Sequence, residues 1–241
     1  DRWLRFKAAQ GIRKLGIQAK SALPEILRAV ATTAEPVAPI HWEDPVQLTH
    51  GQLAAALFAG PMADAVKKVD GELLYPAIRA IASNADGMAR ATLRGFFENK
   101  LTVEDVQVLA ADINAAVKMR SPADTMFGNE IRMGGFKALT KFHFKEGIDA
   151  GILFAKTQGG HGSESRTGEI MKEIAKYGTA AHYAIPELKQ LIVELNAQCA
   201  RGEFPAGELN NRRVTAVEEA IKTIQSATSH PELRTIAPAA R

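Results

Sequence analysis

Apolar residues recur through this 241-residue chain at intervals of three and four, the spacing that paints one face of a helix. Helices are expected over 63–69 and 72–83, over 85–99 and 103–119, over 146–156 and over 210–226. Thr102 with Asp105 three residues on reads as a capping box. Ser121-Pro122-Ala123-Asp124 is a helix start with serine as cap and proline at the first position. In the 146–156 helix, Ile148, Ile152 and Leu153 are expected to face inward. In the 210–226 helix, Val214, Val217, Ile221 and Ile224 share a face expected to cap the stack, and Ser229-His230-Pro231-Glu232 is expected to open a last short turn. No stretch alternates apolar and polar residues with β-branched enrichment, so no sheet is expected.

The chain also repeats itself. Ile12-x-x-Leu15-Gly16-x-x-Ala19-x-x-Ala22-Leu23-Pro24-Glu25-Ile26 matches Ile174-x-x-Tyr177-Gly178-x-x-Ala181-x-x-Ala184-Ile185-Pro186-Glu187-Leu188, and Val30 falls opposite Ile192. Each glycine stands where a helix can end in the left-handed cap conformation. Small alanines are expected to open the next helix, with Pro24 or Pro186 early in it, where a missing N–H is tolerated. A third copy aligns Arg5-x-x-Ala8-x-x-Gly11-Ile12-x-x-Leu15 with Arg132-x-x-Gly135-x-x-Ala138-Leu139-x-x-Phe142.

These residues resemble the A-helix, turn and B-helix of HEAT repeats. The resemblance implies an all-α, right-handed α-α superhelix of about five helix pairs plus a C-terminal capping helix, forming one domain over 1–241. Gly162 to Leu188 is also similar to C-terminal helical-repeat regions of large, uncharacterised bacterial multidomain proteins. One segment, 32–50, interrupts the pattern with Pro36, Pro39 and Pro45 around His41-Trp42-Glu43-Asp44. It is expected to be an irregular insertion, with Trp42 as a packing anchor or a binding edge. The chain begins at Asp1, which reads as a processed product or a piece of a larger protein.

Composition narrows the classes. Hydrophobic residues make up 46% and charged residues 24%, as in ordinary folded domains. No apolar run nears the roughly 20 residues that cross a bilayer, so no membrane insertion is expected, and the compartment stays open. One cysteine, Cys199, excludes an internal disulfide and a cysteine-based zinc site. The net charge of +3 is unevenly spread: residues 1–28 hold seven basic groups against Asp1 and Glu25, leaving 23 basic and 25 acidic residues elsewhere. That basic end reads as a docking face built on Arg2, Arg5, Arg13 and Lys14.

Chemistry is sparse. Phosphate-loop, nucleophile-elbow and zinc-protease signatures are absent, so no catalytic residue, cofactor or metal is assigned. His143 with Glu146 has an i, i+3 spacing used in di-metal bundles, but a second pair is missing, and local ion pairing is the reading. The most unusual stretch, Gly159 to Gly168, is glycine-rich and precedes a helix. His161, Ser163, Glu164 and Arg166, joined by Arg132 and His143, form the candidate ligand surface for an anion. The alternative is an inter-repeat turn in which Ser163 or Ser165 caps the helix and Glu164 complements its dipole.

The expectation is a non-catalytic interaction or scaffold module whose partner is a protein or an upstream domain of the same chain. An accessory domain supporting an upstream catalytic domain is a second reading. Nucleic acid is a weaker one: HEAT-like DNA glycosylases have about this size, but they place tryptophans in a basic groove, whereas Trp3 and Trp42 lie near one end. Paired His-Glu dipeptides of HEAT-like iron hydroxylases do not occur.

Overall fold

The computed structural model describes residues 1–32, 45–84, 86–119, 127–158 and 161–236. Among these residues every regular element is helical, with one isolated parallel bridge between Phe144 and Arg234 and no strand. The all-α expectation therefore holds. Contacts divide the chain into two compact units, 1–138 and 139–241, where the sequence alone reads as one domain.

The first unit comprises α1 (Arg2–Leu15), a 3₁₀ segment (Gly16–Ala22), α2 (Leu23–Thr32), α3 (Pro45–Phe58), α4 (Ala63–Val66), α5 (Gly71–Ala82), α6 (Gly87–Ala91), α7 (Leu93–Asn99), α8 (Val103–Lys118) and most of α9 (Gly128–Lys141). Helix α1 packs on α3, α2 on α5, α5 on α8, and α3 on α6 and α7. The α8 capping box is present as expected: Asp105 N donates to Thr102 Oγ1, and Thr102 N to Asp105 Oδ2. The helix expected over 85–99 breaks at Thr92 into α6 and α7.

One expectation needs correction here. The irregular segment does not extend over all of 32–50: Thr32 ends α2, and Pro45 opens α3, where a proline lacks only an N–H that has no helical partner. The rest of that segment, with Trp42, and the helix start at Ser121 lie outside the described residues. Helix α3 itself has no amphipathic signature in sequence, because its apolar residues (Leu53, Ala54, Ala56, Leu57 and Phe58 among them) and its polar Thr49, His50 and Gln52 are both spread around its axis.

The second unit holds α10 (Lys145–Thr157), α11 (Ser163–Ala175), a second 3₁₀ segment (Gly178–Ala184), α12 (Ile185–Ala200) and α13 (Glu208–Ser226). Helix α13 lies on α11 and α12 through buried Val217, Ile221 and Ile224, while Val214 is half-buried. In α10, Ile148 and Ile152 are buried but Leu153 is 36% exposed, so its expected inward position is wrong. The next stretch does not turn at Ser229 as expected. It runs without helix and bonds back: Thr179 N to Ser229 O (2.9 Å), Arg234 N to His143 O (3.0 Å) and Lys145 N to Arg234 O (2.9 Å). Those backbone bonds use the groups that a local turn would have used itself.

The two clearest sequence copies fold alike. Gly16 (φ 52°) and Gly178 (φ 53°) each lie at positive φ, open a seven-residue 3₁₀ segment and lead into a helix with proline at its second position. Two details differ from expectation. Gly16 pairs its φ with ψ −125°, outside the left-handed helical region, so it makes a sharper bend than a helix cap. The alanines at 19, 22, 181 and 184 belong to the 3₁₀ segments and not to the following helices.

Candidate functional site

Helix α1 starts on Asp1, whose carboxylate accepts from Trp3 N (2.8 Å) and Leu4 N (3.2 Å). It seats on α3 with little of its surface: Phe6 and Ala9 are its buried residues. The remainder faces outward. Trp3 is 53% exposed, Leu4 70% and Leu15 52%, and Ile17 just beyond is 49% exposed. Among the described residues these are four of the ten exposed large hydrophobics, which singles out this end of the chain. Arg2, Arg5, Arg13 and Lys14 are exposed on the same helix. The face expected to dock is thus both basic and apolar, and its apolar half escaped a reading based on charge.

Two hollows adjoin it within the first unit. Gln10, Arg13, Lys14 and Gln52 line a cleft of about 400 Å³, and Arg13 Nη1 donates to Gln52 Oε1 across it (3.0 Å). A cavity of about 260 Å³ continues from Arg13 and Gln52 to Gly51, Asp86, Met88 and Thr92. Behind its wall lies a buried polar cluster. Asp86, 4% exposed, accepts from Met88 N (2.9 Å) and donates its own N–H to Asn84 Oδ1 (2.8 Å). The Asn84 amide meets His50 Nδ1 at 2.6 Å. Sequence reasoning missed this cluster because His50 and Asn84 lie 34 residues apart and share no local motif.

The glycine-rich loop places its residues differently from expectation. Gly162 (φ 67°) precedes α11 as its cap, and no side chain caps the helix, so neither Ser163 nor Ser165 takes that role. Ser163 is buried and its hydroxyl meets no partner among the described residues. Arg166 turns back on the loop, donating from Nε to Gln158 Oε1 (2.8 Å) and from Nη2 to the His161 carbonyl. The guanidinium thus staples the loop. His161 is exposed, and Glu164 lies half-buried in the first turn of α11, the position that favours a negative charge. His143 takes a positive φ of 55° and sets its ring edge-on against Tyr177, 5.5 Å away. Glu146 Oε1 accepts from Ile236 N (3.1 Å).

Arg132 does not offer a free head group. It is 3% exposed within the first unit and donates from Nε to the Val117 carbonyl at 2.7 Å. Its stem and charge are used at the end of α8. Among the described residues, no group of three or more metal-ligating side chains assembles and no helix is long and apolar enough to cross a membrane.

Compared with protein-family models, curated proteins and solved structures, the chain shows no match.

Proposed function

We propose that the chain is a non-catalytic, HEAT-like repeat module of a larger bacterial protein, a right-handed helical stack that binds a protein or neighbouring domain through the outer face of α1. The carrying observation is that Trp3, Leu4 and Leu15 of α1 and Ile17 just beyond it are exposed on the helix that also exposes Arg2, Arg5, Arg13 and Lys14. Exposed apolar residues gathered on one element favour an interaction site, and aromatic and arginine side chains are the types enriched in interfaces. The repeated local geometry after Gly16 and Gly178 supports the repeat reading.

Two measurements test this. Peptide-display selection against the whole chain should yield binders that fail on the Leu4→Ser/Leu15→Ser variant. Binders indifferent to that variant overturn the assignment of the face. A labelled DNA duplex and a single strand should not bind near physiological salt. Binding that is tight there and weakens steeply with salt makes the basic helix a nucleic-acid contact instead.

A further inference from the structure

The internal repeat contains two worked examples of how the bare face of α1 is covered. In the first alignment, Arg5, Ala8, Ile12 and Leu15 correspond to Thr167, Ile170 and Ile174 of α11 and to Tyr177 just beyond it. All four of the latter are buried, whereas Arg5, Ala8 and Leu15 are exposed and Ile12 is half-buried. The helix before α11 is α10, which packs on it. Gln158, which ends α10, donates from Nε2 to Thr167 Oγ1 at 2.9 Å. The position equivalent to Arg5 therefore touches the C-terminal end of the preceding helix.

The other alignment says the same with an arginine. Arg5 corresponds to Arg132 and Ala8 to Gly135. Arg132 Nε donates to the carbonyl of Val117, in the last turn of α8. Gly135 sits where α9 crosses that helix: a Cβ there would lie 2.8 Å from Val117 Cγ2 and 3.2 Å from Ile113 Cγ2. The last carbonyls of a helix lack intrahelical donors and carry the negative end of its dipole, so a guanidinium is a fitting cap.

We propose that the Arg5–Ala8–Ile12–Leu15 face of α1 receives an amphipathic, acidic helix of a partner protein, with the partner's C-terminal carbonyls meeting Arg5 and its apolar stripe crossing at Ala8. This rests on the protein-binding reading above and names the partner's chemistry. The acidic character follows from the receiving side, where Arg2, Arg5, Lys7, Arg13 and Lys14 oppose only Asp1 on α1 and its cap. A second copy of the same face is excluded as occupant, because it would set five cations against five.

The probe is an acetylated, amidated peptide of residues 103–118, the α8 sequence. It already covers Gly135 here and carries Glu104, Asp105 and Asp112 against Lys118. Titrated into the full chain, it should shift the backbone amides of α1 and gain helical circular dichroism on binding. Ala8→Glu and Leu15→Glu, both at exposed positions, should weaken it more than tenfold, and Arg5→Ala about tenfold, as for loss of a charged hydrogen bond. Binding unchanged by these substitutions, or none at ~1 mM peptide, overturns the proposal. Equal binding of a peptide with Lys at its three acidic positions overturns only the acidic partner and leaves a protein-binding face. Shifts of α1 by a DNA duplex, with neither peptide bound, overturn both readings.

Discussion

The Tyr177 hydroxyl donates to the Phe144 carbonyl at 2.7 Å from a fully buried position. It ties the residue that precedes the second 3₁₀ segment to the residue that opens α10, beside the turn where His143 holds a positive φ. Burial, followed by the charges of neighbouring acidic groups, pushes the phenol far above its ordinary range, so it stays a donor at every working pH. Tyr177→Phe should cost about 1 kcal/mol, the value of one net hydrogen bond, because the Phe144 carbonyl keeps the bond from Gly147 N (2.9 Å). A Cβ at Gly147 would lie 2.6 Å from this hydroxyl. Gly147→Ala should therefore be markedly less damaging in the Tyr177→Phe background, a coupling that a double-mutant cycle by urea unfolding reads directly.

Gly16 and Gly178 separate backbone strain from collision. Both lie at positive φ, but a Cβ at Gly16 meets only Pro61 Cγ at 4.0 Å, while at Gly178 it meets the Ser229 carbonyl oxygen at 2.3 Å. Gly16→Ala should cost roughly 1–3 kcal/mol from strain, and Gly178→Ala clearly more. Hydrogen exchange should also show Thr179, whose amide bonds to Ser229 O, losing protection only in the second variant. Equal costs at both sites would refute the packing of 227–236 against the 3₁₀ segment.

Arg132, on α9, caps the Val117 carbonyl at the end of α8. Arg132→Ala should destabilise the chain by about 1.5–3 kcal/mol or more, the range for a hydrogen bond from a charged group with its stem also buried. Arg166→Ala should have the smaller effect, since its guanidinium bonds are partly exposed. A chemical denaturation series on the two variants orders them.

Buried Arg213 makes a different prediction. It is 2% exposed, lies 4.0 Å over the Phe204 ring and donates from Nη2 to Gln198 Oε1, while its Nε and Nη1 meet no acceptor among the described residues. Burial holds its pKa below the usual arginine value. Replacing such a charge by an apolar side chain of like volume is often neutral or stabilising. Arg213→Met should keep or raise the melting temperature, whereas Arg213→Ala, which removes the volume as well, should lower it.

Asp64 supplies the pH dependence. Its carboxyl is held below the ordinary range, first by the hydrogen bond from Lys100 at 2.8 Å and then by that ammonium's charge. A depressed folded-state value means that the contribution is present above the unfolded pKa, about 3.9, and is lost as pH falls through the folded one. Lys100→Ala should raise the Asp64 midpoint toward the ordinary value, followed through its side-chain carboxyl carbon by NMR. The pair is exposed, so added salt should shrink the difference.

Local signals carried far in this chain. The Thr102–Asp105 box, the prolines at 24 and 186 and the paired glycines act within a few residues of themselves, and each appears where its own backbone requirement placed it. Helix α3 was illegible because its apolar residues and its polar Thr49, His50 and Gln52 are mixed around the axis, and periodicity needs a polar side to contrast with an apolar one. The candidate loop was legible as unusual but not as a site: that Arg166 would bond to Gln158 and His161 depends on how the loop closes.

The sequence by itself determined the helical class, most helix positions and the internal repeat, since these follow from spacing, capping and backbone freedom over short stretches. Only the tertiary structure decided which copies of the repeated face are covered. Arg5 and Arg132 read alike in sequence, yet one is exposed and the other is sealed against Val117. Burial depends on what packs alongside, and no single repeat encodes its neighbour.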